Sequence, residues 1–213
     1  MKNNILITSA GQRVSLVKAF QTEIKKLDVS NKIYTVDLNP ILAPACHASD
    51  GYRTVKRVTD ANYISDLLEI CKELEIKIIV PTIDTELLVL AESKDLFLNE
   101  GITPIVSSLD FVQACRDKRI INQFFLENNI DIPQDLDKNN LSFPLFIKPY
   151  DGSLSKDTFL IENESQLTDY HFENPKLMFM EYIDHAKHDE YTVDTYYDKN
   201  GNLKCIVPRK RIF

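Results

Sequence analysis

Residues 4–8 form a short apolar run, Ser9, Ala10 and Gly11 supply turn residues, and Val14, Val17, Phe20, Ile24 and Leu27 then recur at helical spacing. The pattern predicts strand, tight turn, helix. It repeats along the first half. Residues 32–37 and 53–56 read as strands, and Ile64, Leu67, Leu68, Cys71 and Leu74 line one helix face behind a cap at Asp60. Residues 76–81 read as a buried strand, Leu87, Leu88 and residues 91–98 as a further helix, and 102–106 as a last strand. Such alternation predicts a parallel, Rossmann-like sheet with helices on both faces, an α/β domain over residues 1–112.

From Ser107 the pattern changes. Ser107 to Asp110 resembles a capping box with Asp in place of Glu, and residues 111–115 and 120–126 supply helical apolar positions on either side of Asp117-Lys118-Arg119. Strand-like segments follow at 143–148, 158–161, 177–182, 191–197 and 203–207, with one short helix near 164–170 and a hairpin turn at Asp198-Lys199-Asn200-Gly201. Residues 113–213 therefore read as an antiparallel α+β domain following the parallel one.

Composition narrows the function classes. In 213 residues, 25 basic side chains face 32 acidic ones for a net charge of −7, so general attraction to nucleic acid or anionic lipid is not expected. The one dense basic run is Arg209-Lys210-Arg211. The apolar stretch near the start is too short for a signal peptide or membrane span, which predicts a cytoplasmic protein. Cys46, Cys71, Cys115 and Cys205 show no CxxC spacing and read as free, buried thiols.

Ligands of parallel sheets bind at the carboxyl ends of the strands, which points to Ser9 to Arg13, with Gly11, Gln12 and Arg13 among them, and to Asp37-Leu38-Asn39-Pro40. A dinucleotide fingerprint is incomplete, because the first turn carries Gly11 alone and Asp37 serves equally as a turn former. In the second half, Lys148 ends an apolar strand and precedes a loop of small and polar residues, Pro149 to Lys156, whose backbone N–H groups and hydroxyls suit phosphate oxygens. About thirty residues on, Glu181 closes one strand and Glu190 opens the next; acids so placed can accept an exocyclic amine and two ribose hydroxyls. His185 and His188 lie three apart in what reads as a hydrated loop, and neither they nor His47 is assigned a role.

Taken in order, Asp117-Lys118, Phe143 to Pro149, Asp151-Gly152-Ser153, Met180-Glu181-Tyr182-Ile183, Glu190 to Asp194 and Pro208 to Ile212 resemble the ATP-grasp superfamily, in particular proteins like the large chain of carbamoyl-phosphate synthase. The resemblance covers the whole chain, as a pre-ATP-grasp domain followed by an incomplete ATP-grasp domain. It implies that Lys118 and Lys148 contact ATP phosphates, with Ser153 and Lys156 in the loop beside them. It further implies that Glu181 and the backbone of Tyr182 and Ile183 read adenine, that Glu190 holds the ribose, and that Arg209 or Arg211 projects to the phosphates. The loop departs from the family pattern in having one glycine, with Leu154 and Asp157 where glycines are usual.

The resemblance implies a parent enzyme that joins a small-molecule carboxylate to an amine through an acyl phosphate, with ATP and Mg2+. Its substrate is expected near Gly11, Gln12, Arg13, Asp84 and Glu86 by fold-level analogy. The metal ligands are expected beyond Phe213, so the chain reads as a fragment that makes no ADP by itself and self-associates, as a homo-oligomer, through an exposed last strand. Two alternatives stand beside this reading: a non-catalytic nucleotide-binding or subunit-like protein, and an NAD-dependent dehydrogenase or epimerase using the first domain.

Overall fold

The computed structural model describes residues 2–152 and 155–212. The chain divides into two compact units, Met1–Arg116 and Asp117–Phe213.

The first unit is built on strands β1 (Asn4–Thr8), β2 (Ile33–Asp37), β3 (Gly51–Thr54), β4 (Ile76–Val80) and β5 (Thr103–Pro104). They form a parallel sheet in the order β3-β2-β1-β4-β5. The alternating side chains of β1 explain why both faces are covered. Leu6 joins Val36, Leu67, Ile79, Leu90 and Phe97 on one face, while Ile5 and Ile7 join Val17, Ile24 and Ile33 on the other. Helices α1 (Val14–Leu27) and α2 (Pro44–Ala48) pack against the second cluster, and α3 (Tyr63–Glu73), α4 (Asp84–Glu92) and α5 (Lys94–Asn99) supply residues of the first. Helix α6 (Leu109–Arg116) completes the unit.

Three local expectations are corrected. Asp60 does not cap α3: the helix starts after Asn62, and Asp60 instead closes the preceding turn by accepting from Asn62 N at 2.9 Å. The helix expected through residue 98 is two, broken at Ser93, whose N–H still donates to Val89 O at 3.1 Å while its carbonyl starts α5. Cys46 and Cys71 are buried, but Cys115 and Cys205 are exposed.

The second unit opens with α7 (Lys118–Glu127), capped by Asp117, whose side chain accepts from Arg119 N. Strands β6 (Leu145–Pro149), β7 (Phe159–Ile161) and β8 (Leu177–Glu181) form an antiparallel sheet in the order β7-β6-β8. Leu145, Ile147, Ile161, Leu177 and Phe179 make its core. The single helix expected near 164–170 is a 3-10 turn, Glu164–Gln166, followed by α8 (Asp169–Glu173). Strands β9 (Tyr191–Tyr197) and β10 (Leu203–Lys210) pair as a separate antiparallel hairpin, closed by Asp198 N donating to Asn202 O at 2.9 Å.

Candidate functional site

Period-two alternation in β6 decides which residues face the core and which do not. Leu145 and Ile147 are buried in it, so Phe146 and Lys148 project to the opposite face. There they line a cavity of about 970 Å3 together with Met180, Glu181, Tyr182, Ile183, Glu190 and Arg211. Phe146 stands directly across from Met180 in the β6–β8 register. Sequence reasoning passed over both, although the same alternation that places Lys148 also places Phe146.

Lys148 is half-buried, and desolvation followed by the nearby positive charge of Lys118 holds its pKa below the usual lysine range, with Asp135 opposing. Lys118 is anchored differently. Its Nζ donates to Gly152 O at 2.8 Å and Tyr150 O at 3.3 Å, and its own N–H donates to Tyr150 O at 2.9 Å. The turn after β6 is therefore tied to the first residue of α7. Gly152 suits this turn because a Cβ there would come within 3.0 Å of the Pro149 ring. Lys176 adds an ion pair to Asp151 at 2.6 Å, and Arg119 stacks over the Tyr150 ring at 3.6 Å.

The adjoining segment is shaped by β8. Glu181 N donates to Gln134 O at 2.8 Å, and Glu181 Oε2 accepts from Gln134 N at 3.2 Å, so a strand-like stretch of residues 134–136 covers the edge of β8 as far as its last residue. Tyr182 and Ile183 follow along the cavity wall. Across it, Glu190 Oε1 accepts from Arg211 at 2.6 Å, and Arg211 N donates to Glu190 O at 2.9 Å. Arg209 pairs instead with Asp194 at 2.7 Å and does not line the cavity. Lys156 is exposed and lies outside the lining; Ser153 and Leu154 lie outside the described residues. Ser155 and Asp157 adopt φ of +53° and +52°, the left-handed conformation that glycine would take without strain.

In the first unit the residues expected near a substrate are brought to the carboxyl ends of β1 and β4. Gly11, at φ +50°, donates its N–H to Asp37 Oδ2 at 3.0 Å, while Asp37 Oδ1 accepts from Asn39 N at 3.1 Å, so both Asp37 oxygens serve the turns. Arg13 donates to Ser9 O and Thr82 O, Gln12 is exposed, and Asp84 starts α4. Glu86 is buried at 1 % exposure. Its carboxylate accepts from Thr8 Oγ1 at 2.6 Å, from Ser9 Oγ, and from Tyr63 OH at 2.8 Å. Desolvation, then the Glu86 charge, pushes the Tyr63 phenol far above its usual range. A cavity of about 240 Å3 beside them is lined by Ser9, Tyr63, Glu86, Lys56 and Arg57 among others.

Residues 5–105 match the family model of the PylC-like N-terminal domain. No curated protein sequence matches the chain. Among solved structures, biotin carboxylase from Campylobacter jejuni, in complex with β,γ-ATP, superposes with a TM-score of 0.70 at 17% identity, covering 95% of this chain and 50% of that one. The chain has the ATP-grasp fold. An L-amino acid ligase from Bacillus licheniformis superposes with a TM-score of 0.64 at 17% identity, over 95% of this chain and 48% of the ligase. The biotin carboxylase domain of 2-oxoglutarate carboxylase from Hydrogenobacter thermophilus, in complex with MgADP, ADP and bicarbonate, gives 0.69 at 16% identity, over 95% and 49%. The chain thus spans about half the length of these structures, and its five-stranded parallel sheet has the pre-ATP-grasp fold. Among the described residues no group of three or more His, Cys, Asp or Glu side chains could hold a metal ion, and no helix is long and apolar enough to cross a membrane.

Proposed function

We propose that the second unit binds ATP in the cavity lined by Lys148, Glu181 and Glu190, and that the protein acts as an ATP-dependent ligase joining a carboxylate to an amine. The observation that carries the reading is the polarity of this cavity: an ammonium kept half-buried next to a second one, with carboxylates along another part of the lining. A nucleotide is complementary to it, with an anionic chain at one end and amine and hydroxyl donors at the other.

In this reading Lys148 and Lys118 balance phosphate charge, Glu181 takes the adenine amine beside the backbone of Tyr182 and Ile183, and Glu190 takes the ribose hydroxyls. Phe146 and Met180 supply apolar surface for the base. The acceptor carboxylate attacks the terminal phosphorus of ATP with loss of ADP, and the amine then attacks the acyl phosphate carbon with loss of phosphate. The chain's contribution is positioning and preorganised charge. Mg2+ would neutralise charge on ATP when bound. Among the described residues no group of three or more His, Cys, Asp or Glu side chains fits it. Titration calorimetry of the 213-residue chain tests the binding half of the reading. ATP and ADP should bind more tightly than GTP, and Lys148→Ala should weaken ATP at least tenfold. Equal affinity for ATP and GTP, or an unchanged Lys148→Ala, would remove the assignment.

A further inference from the structure

Glu190 lies where β9 begins, and Arg211 lies just past the end of β10, so the two face each other across the open end of the hairpin. Their backbones are joined by Arg211 N donating to Glu190 O at 2.9 Å, and their side chains by an Nη1 to Oε1 contact of 2.6 Å. Both line the same cavity as Lys148 and Glu181. Along β10 the neighbouring cations find other carboxylates: Lys210 pairs with Asp189 at 2.8 Å and Arg209 with Asp194 at 2.7 Å. Asp189 also lines the cavity, but of these three pairs Arg211 and Glu190 are the one in which both partners line it.

We propose that Arg211 is a positioning residue that holds the Glu190 carboxylate in the orientation needed to accept two vicinal hydroxyls, and that it sets the protein's preference for ribonucleotides rather than contacting phosphate. This deepens the ATP-binding reading and rests on it. A carboxylate offers about four acceptor sites on its two oxygens. Arg211 takes one site on Oε1, and a carboxylate with about four sites has room for two hydroxyl donors besides. A partly buried glutamate just before a strand otherwise samples several rotamers, and freezing them on ligand binding costs affinity. The guanidinium removes that freedom before the ligand arrives. Its planar donor edge also sets the plane of the carboxylate, which a lysine would leave free.

The test is calorimetric binding of ATP and 2′,3′-dideoxy-ATP to the wild-type chain, Glu190→Gln, Arg211→Met, Arg211→Lys and the double variant Glu190→Gln/Arg211→Met, each first checked for native circular dichroism. Wild type should favour ATP by about tenfold or more. Glu190→Gln and Arg211→Met should each abolish that preference, the double variant should lose no more than either single one, and Arg211→Lys should recover it in part. If Arg211→Met weakens ATP and the dideoxy analogue equally and keeps the preference, Arg211 serves the phosphates and the proposal is overturned. An unchanged Arg211→Met overturns it as well. If Glu190→Gln itself leaves the preference intact while ATP still binds, the ribose assignment of Glu190 fails and this inference with it. Absence of any ATP binding by the wild-type chain would instead overturn the reading on which both rest.

Discussion

Lys148 keeps its ammonium half-buried beside Lys118, and its pKa falls first through desolvation and then through like charge. A lysine whose folded-state pKa lies below its unfolded value binds fewer protons when folded. The charged form therefore penalises the fold at neutral pH, and the penalty fades as pH rises through the folded value toward 10.5. Lys148→Met keeps most of the stem and removes the charge. Thermal melts at pH 7 should show a chain at least as stable as wild type, while ATP affinity falls at least tenfold; a marked loss of stability would show that the ammonium supports the fold. Asp157 offers the opposite trade. It holds φ +52°, a conformation that costs an ordinary residue roughly 1–2 kcal/mol and Asp somewhat less. Asp157→Gly should be stabilising by about 0.5 kcal/mol in urea denaturation, after the extra freedom of glycine in the unfolded chain is subtracted. It should also tighten ATP by removing a negative charge from the loop. Destabilisation on this change would mean that the Asp157 side chain holds the loop.

At the level of elements, the hairpin β9–β10 contrasts with the other sheets. Its residues are exposed throughout, whereas Leu145 and Ile147 of β6 are fully buried. A two-stranded hairpin in water is marginal by itself. Backbone amides of β9 and β10 should exchange at least a hundredfold faster than those of β1 and β4, and comparable protection by mass-spectrometric exchange would contradict this. These contrasts were unequally legible in the sequence. The β/α alternation of the first unit was readable because the sheet is covered on both faces, so its strands are apolar runs and its helices one-sided. The residues around the cavity were readable as strand-end acids and lysines. Phe146 was passed over because in sequence it looks like one more core residue of β6. Glu86 was read as a substrate neighbour from its place after β4; that Thr8, Ser9 and Tyr63 converge on it depends on β1 and α3 being brought to β4, which no local pattern encodes. The break at Ser93 and the late start of α3 are likewise set by packing.

Across the whole molecule the two units differ in how they respond to alkali. Cys71 of the first unit is buried and its thiol is pushed up to about 12 from an ordinary 9.0. Between those values the unfolded chain has lost a proton that the folded unit still carries. Stability from this group is full below pH 9.0 and is lost as pH rises toward 12, a change of roughly 4 kcal/mol for a shift of that size. Tyr63 adds to the loss above pH 10.0, since its phenol is raised as well. The second unit carries Lys148, whose contribution has the opposite sign. Differential scanning calorimetry from pH 8 to 10 should therefore show the first unit's transition falling, and Cys71→Ala should flatten that fall while lowering the midpoint at neutral pH. An unaltered pH slope in Cys71→Ala would show that other groups carry the effect.

The stacked pair of Arg119 and Tyr150 has an optical consequence. The protein contains no tryptophan. Tyr150 lies under a guanidinium at 3.6 Å, and its carbonyl is held by the Lys118 ammonium at 3.3 Å. A single indole placed there by Tyr150→Trp would be the chain's sole long-wavelength emitter, with one ring face against a cation. Any anion that draws Arg119 or Lys118 away would change the electric field across that ring and shift its emission. The fold thus contains a place where occupancy could be followed by fluorescence in real time, without labelling Cys115 or Cys205.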